Sequence, residues 1–253
     1  MKILAFADRS PRESVSALID RDPPDLIACL GDLRASDMKD IATCGIPAVG
    51  VYGNHCLGSY LEDFGIVNVH GRAITVAGLT IGGMEGCVRY KSAPHYSFPG
   101  RPDLRPDRQY EQEEADRVWT ALPPCDLILS HCPPFGVNDT IEEFYSRFAW
   151  SAVDDQFAAA TGDVIRDPSH VGWIGGRRYL VKSQPTWWLH GHTYPKGPCV
   201  RQILETTVHY VIQDRLIDLS EQPSAESQPP FPSMAALPAG QSWWDRLFHP
   251  SSP

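Results

Sequence analysis

Five short polar clusters in this 253-residue chain each stand immediately after an apolar run. Asp8 follows ILAFA, Gly31-Asp32 follows LIACL, Gly53-Asn54-His55 follows AVGVY, His131 follows LILS, and His190-Gly191-His192 follows TWWL. Together they offer two carboxylates, an amide oxygen and several imidazoles, a donor set suited to Mn, Zn or Fe. Nothing in the set resembles a nucleophilic triad. Asp32 sits on a tight glycine turn and could bridge two cations; paired ions of this kind clamp a phosphoryl group and activate water. Any one of these histidines alone is most simply a hydrogen-bonded core or surface residue. Five clusters in five equivalent positions favour metal ligation.

For the clusters to act together, the elements before them must deliver their ends to one place. The apolar runs Ile3 to Phe6, Leu26 to Leu30 and Pro47 to Tyr52 alternate with helix-like segments at Pro11 to Asp20 and Ser36 to Thr43, the β-α-β-α-β rhythm of a mainly parallel sheet. In such sheets ligands bind beyond the carboxyl ends of the strands. Ser10, Pro11 and Glu13 fit a capping box at the first helix. The runs at 66–69, 73–76 and 79–82 predict a meander in a second sheet, and the proline-rich stretch 86–106 an exposed loop before a polar helix near 107–122. Further strands are expected at 126–130, 186–189, 200–203, 206–212 and 216–219, with a helix over 172–183. Trp187 and Trp188 read as core, and the acidic run 111–117 as solvated helix surface.

Composition narrows the partners. The formal net charge of -9 argues against a broad nucleic-acid-binding surface. Seven scattered cysteines without a CxxC pair suggest a reducing, cytoplasmic setting. The apolar run before Asp8 is shorter than a signal-peptide core, and no stretch is long enough for a membrane span. Residues 1–220 form the expected domain. Residues 221–253 are Pro/Ser-rich and read as a disordered tail, whose Trp243 to Phe248 segment could dock on the domain or contact another protein.

The ordered blocks D-x-(H), G-D, G-N-H, H and G-H resemble the calcineurin-like metallophosphoesterase superfamily over roughly Met1 to Ser220. The stretch SHCPPFGVND, with DPSHVGW and HGHTYP, is similar to its small branch that hydrolyses cyclic-nucleotide phosphodiesters. The resemblance implies a four-layer α/β/β/α sandwich of two mixed sheets. It implies two divalent ions, Mn, Fe or Zn: one held by Asp8, Asp32 and His192, the other by Asp32, Asn54, His131 and His190. It assigns His55 to the phosphate or the leaving oxygen, as general acid. Two positions depart from the pattern. Ser10 replaces a histidine ligand, which predicts weaker occupancy of the ion at Asp8 and His192. Cys56 replaces an Asp or Glu, which removes the usual orienter of His55.

The expected function is divalent-metal-dependent hydrolysis of a small phosphoester, a diester favoured over a monoester. A noncatalytic binding scaffold is the alternative, and a nuclease a third option. Arg9, Arg34 and Arg89 are candidates for pairing with a substrate phosphate, although surface salt bridges explain each comparably well. His170 is a candidate lid or phosphate contact.

Overall fold

The computed structural model describes residues 1–89, 108–139, 170–195 and 199–221. Its first sheet holds β1 (Lys2–Ala7), β2 (Leu26–Cys29), β3 (Ala48–Gly50) and β4 (Val67–Asn68) in parallel, with β13 (Gln213–Asp218) antiparallel to β1, in the order β13-β1-β2-β3-β4. The second sheet runs β11 (Val200–Ile203), β12 (Thr206–Tyr210), β10 (Trp187–His190), β9 (Leu127–Ser130), β6 (Leu79–Met84) and β5 (Ala73–Val76). Its inner strands are parallel, and its two outer pairs antiparallel.

Strands buried on both faces explain why their sequences are continuously apolar rather than alternating. In β1 and β2, Ile3, Ala5, Leu26 and Ala28 point inward against Ile81, Leu127, Leu129 and Leu189 of the second sheet. Their neighbours Leu4, Phe6, Ile27 and Cys29 point outward, beneath Val15 and Leu18 of α1 (Val15–Arg21) and Ile41 of α2 (Lys39–Thr43). On the far side, Ile128, Trp188 and Val208 pack under Trp119 of α3 (Gln112–Ala121) and Leu180 of α4 (Ile174–Ser183). Each large apolar side chain buried here stabilises the fold by about 1.5–3 kcal/mol. The outcome is the four-layer α/β/β/α sandwich of two mixed sheets.

Three local expectations need correction. Helix α1 starts later than the sequence suggests, because Ser14 is its cap and accepts from Ala17 N at 3.2 Å. Ser10 has other partners: its hydroxyl donates to Asp37 (2.8 Å), and its carbonyl accepts from Gln213 at the start of β13. The 66–82 region is not one meander, since β4 pairs with β3 in the first sheet and the chain crosses over before the β5-β6 hairpin. The region after Gly86 does not open as an exposed loop. Cys87 and Val88 are buried as β7 (Cys87–Val88), parallel to β8 (Gln109–Tyr110). Residues 90–107 and the expected tail beyond residue 221, including Trp243 to Phe248, lie outside the described residues.

The seven cysteines are reduced, with no disulfide among them. Among the described residues no helix is long and apolar enough to cross a membrane.

Candidate metal centre

The carboxyl ends of β1, β2 and β3 in one sheet and of β9 and β10 in the other open onto a common edge. There one ligand atom each from Asp8, Asp32 and His131 lies within 4.8 Å of the others. The backbone is unusual at this edge. Asp8 (φ 63°), Asp32 (φ 54°) and His192 (φ 73°) are all left-handed, a conformation few non-glycine residues adopt. Such strain costs on the order of 1 kcal/mol or more per residue and clusters at functional sites.

Glycines make the approach possible. A Cβ on Gly53 would lie 2.1 Å from Asp32 Oδ1, and one on Gly31 2.3 Å from Gly53 N. A Cβ on Gly191 would press on Asp8 Oδ2 at 2.8 Å. The G-D, G-N-H and H-G-H turns therefore pack together through their missing side chains.

The hydrogen bonds set each ligand's orientation. Asp8 Oδ2 accepts from the His192 backbone N–H (2.9 Å), and Asp32 Oδ1 from the His55 backbone N–H (2.8 Å). The fully buried His131 ring places Nδ1 2.8 Å from the Leu30 carbonyl, which requires Nδ1 to carry the proton and donate. Its Nε2 then faces Asp32 Oδ2 at 3.2 Å and Asn54 Oδ1 at 3.0 Å. With Nδ1 as donor, the neutral ring presents a lone pair to the Asp32 and Asn54 oxygens, an arrangement that a cation or an added proton satisfies.

Ionisation follows from this crowding. Burial opposes a charge on His131, but Asp32 and, more weakly, Asp8 outweigh it and push the imidazole up to about 9. Burial alone would raise Asp32; its contacts with His131 prevail and hold it well below the usual carboxylate range. Asp8 is raised, chiefly by burial, with His131 pulling the other way. A divalent ion would relieve all three, and the oxygen and nitrogen donors fit one. Asn54 is consistent with this: it is 2% exposed, and its Nδ2 is buried without a hydrogen-bond partner among the described residues.

The remaining expected ligands lie close by in different states. The His192 ring is 4.8 Å from that of His131, centroid to centroid. His190 is fully buried; its Nε2 accepts from Asn138 Nδ2 (3.0 Å) and its Nδ1 donates to the Gly191 carbonyl (3.0 Å). Burial holds it neutral, lowered to about 3. This tautomer leaves the Nε2 lone pair outward, where Asn138 and an ion would compete for it. The His55 side chain is exposed at the mouth.

At the rim, His170 stands 5.2 Å from the His192 ring and 6.2 Å from that of Tyr194. The Arg9 guanidinium lies 5.7 Å from the centre of the same tyrosine ring. Arg34 is exposed at the start of a short 3₁₀ turn, Ala35–Met38. Arg89 is engaged elsewhere, paired with Glu111 (2.9 Å) and donating to the Gln109 carbonyl.

Cys56 replaces the expected carboxylate in a specific way. Its buried sulfur accepts from the backbone N–H groups of Asp32 and Gly53, both at 3.2 Å, and lies 3.1 Å from the Tyr60 hydroxyl. Tyr60 donates its proton to the Leu33 carbonyl (2.6 Å), which leaves the neutral Cys56 thiol to donate to the Tyr60 hydroxyl or to Asp32 Oδ1, the latter at 3.7 Å. Burial and the nearby Asp32 raise the thiol accordingly. Sulfur thus ties the G-D turn to the G-N-H turn.

Asn138 and Tyr194 were not singled out in the sequence, although both lie in the SHCPPFGVND and HGHTYP stretches. A helper residue inside a motif carries no signal beyond its position there.

No family model matches the chain, and no curated protein is similar to it. Solved structures match it at low identity. One has a TM-score of 0.55 at 15% identity, covering 87% of this chain and 95% of its own. TT1561 of Thermus thermophilus has a TM-score of 0.52 at 14% identity, covering 87% and 94%. Phosphopantetheinyl Hydrolase (PptH) from Mycobacterium tuberculosis has a TM-score of 0.47 at 11% identity, covering 90% and 98%. At these identities the likeness is one of fold.

Proposed function

We propose that this protein is a divalent-metal-dependent phosphoester hydrolase acting on a small phosphoester, with a diester preferred. The observation that carries the reading is the convergence of His131 Nε2, Asp32 Oδ2 and Asn54 Oδ1, three atoms able to ligate a cation, beside the half-buried Asp8. Asp32, Asn54 and His131 would hold the first metal. His190 would join it by giving up its bond from Asn138, and His192 with Asp8 and Asp32 would face a second. When bound, such ions supply Lewis acidity toward the phosphoryl oxygens and lower the pKa of water.

The chain's own groups supply the rest. Asn54 Nδ2, buried and without a partner among the described residues, would donate to a phosphoryl oxygen. The backbone N–H of His55 is fixed on Asp32, which anchors the base of the His55 side chain at the mouth. From there its imidazole protonates the departing oxygen as general acid. Arg9 and His170 border the same mouth and would meet the substrate's remaining negative charge.

One observation favours a second reading, a noncatalytic scaffold. Ser10 stands where the resemblance implies a histidine ligand, and its hydroxyl is spent on Asp37. Both readings are separated by measuring Mn bound per chain and turnover of bis-p-nitrophenyl phosphate for the unsubstituted protein, Asp32→Ala and Ser10→His. The hydrolase reading expects measurable turnover that Asp32→Ala abolishes. Absence of turnover at any Mn concentration, or turnover unaffected by Asp32→Ala, would overturn it.

A further inference from the structure

The turn bearing Asn54 and His55 is gripped at its front by the metal centre and at its rear by a residue 50 positions further along, counted from Gly58. At the front, Asp32 Oδ1 holds the His55 N–H, and Cys56 sulfur holds the Asp32 and Gly53 N–H groups. At the rear, Arg108 at the start of the β7-β8 ladder donates from Nη1 to the Cys56 carbonyl (2.7 Å) and from Nη2 to the Gly58 carbonyl (2.6 Å). We propose that Arg108 is a positioning residue whose guanidinium fixes the turn presenting Asn54 and His55 to substrate.

Arg108 is itself held from three directions. Its Nε pairs with Glu85 at 3.3 Å, and both side chains are nearly buried, 13% and 12% exposed. Glu85 is fixed in turn by the Tyr110 hydroxyl on its other oxygen. The guanidinium carbon lies 3.9 Å from the centre of the Tyr52 ring, on the strand end that leads into the turn. The backbone is locked as well: Cys87 N–H donates to the Arg108 carbonyl (3.0 Å), and a Cβ on Gly86 would strike that carbonyl oxygen. A planar fork that reaches two carbonyls and one carboxylate while lying over an aromatic ring is a task for arginine; a lysine ammonium is a point charge without that geometry. Cys56 is the hinge between the two grips, its sulfur turned to the metal centre and its carbonyl to Arg108.

The inference rests on the phosphoesterase reading for its catalytic consequence, but the clamp itself can be read without turnover. The experiment compares the unsubstituted protein, Arg108→Ala and Arg108→Lys, with and without millimolar guanidinium. It records amide deuterium exchange over 53–60, melting temperature, and kcat and KM for bis-p-nitrophenyl phosphate with Mn. Both variants are expected to exchange faster over 53–60 and to lose about tenfold or more in kcat, since small displacements of a catalytic group carry large rate losses. KM should change little. Guanidinium should restore slow exchange and part of the kcat in Arg108→Ala. Exchange over 53–60 matching the unsubstituted protein in Arg108→Lys and in folded Arg108→Ala would overturn the clamp. So would faster exchange in Arg108→Ala that guanidinium leaves unchanged. If the unsubstituted protein shows no turnover, the hydrolase reading fails while the exchange measurement still decides the role of Arg108.

Discussion

His131 Nδ1 and the Leu30 carbonyl are joined by a 2.8 Å hydrogen bond across 101 positions of sequence and from one sheet to the other. Leu30 directly follows β2 of the first sheet, and His131 begins the turn after β9 of the second. The bond therefore does two things at once: it stitches the sheet edges together where the site opens, and it fixes which ring nitrogen faces the carboxylates. A metal-binding histidine commonly gives its other N–H to a carbonyl or carboxylate in this way, and such partners set ligand basicity and orientation.

That bond makes proton release on metal binding a specific expectation. Without an ion, His131 is pushed up to about 9, so at pH 7.5 its Nε2 carries a proton as well. An ion must displace it, releasing close to one proton from His131 per ion, and affinity should rise with pH until about 9. Calorimetric titration of the apo-protein with Zn or Mn in buffers of different ionisation enthalpy measures the release directly. His131→Gln should bind far more weakly and lose that component. An affinity flat between pH 6 and 9 would contradict the arrangement.

Gly53 offers a test that removes no ligand. Its backbone approaches Asp32 so closely that a methyl group would lie 2.1 Å from Oδ1 and 2.5 Å from the Asp32 backbone N. Gly53→Ala must therefore displace the G-D or the G-N-H turn, and overpacking of this kind costs about 1–3 kcal/mol. The expected outcome is a folded protein with a lowered melting temperature and strongly reduced metal content. Gly45→Ala is a useful comparison, because a Cβ there meets nothing within 4 Å. It should leave metal content unchanged despite the left-handed backbone at that residue.

The parts of the fold legible in the sequence were those with a repeated pattern. Short runs such as Leu26 to Leu30, each followed by a polar turn, reveal buried parallel strands and mark the edge where Asp8, Asp32 and His131 meet. Position 10 was harder. Ser-Pro-Arg-Glu satisfies every local rule for a helix start, yet Asp37 and Gln213 take Ser10's hydroxyl and carbonyl, and Ser14 caps instead. Local rules do not contain partners 27 and 203 positions away. The same limit hid Arg108, whose contacts with Cys56 and Gly58 leave no periodicity, and β7, whose two buried residues are too short a run to register. Cys56 was visible as a departure, but its role as acceptor for two backbone N–H groups depends on a three-dimensional approach that the tripeptide alone does not encode.

A half-buried histidine away from the candidate metal centre should contribute to the acid limb of stability. His209 lies in β12, opposite Leu189 of β10 and Val200 of β11, with its Nδ1 buried and lacking a partner among the described residues. Burial, reinforced by Arg215, lowers its imidazole from the ordinary 6.5 to about 4. Between these values the unfolded chain takes up a proton that the folded chain refuses. The contribution of neutral His209 is thus intact above about pH 6.5 and is lost progressively as pH falls toward 4, by at most about 1.4 kcal/mol per pH unit. Urea unfolding of metal-free protein at a series of pH values should show this loss, superimposed on that from buried His190. His209→Gln should flatten the curve between pH 6.5 and 4 relative to the unsubstituted protein, whatever its effect at neutral pH. Parallel curves for the two proteins would show that His209 is protonated as readily in the folded chain as in the unfolded one.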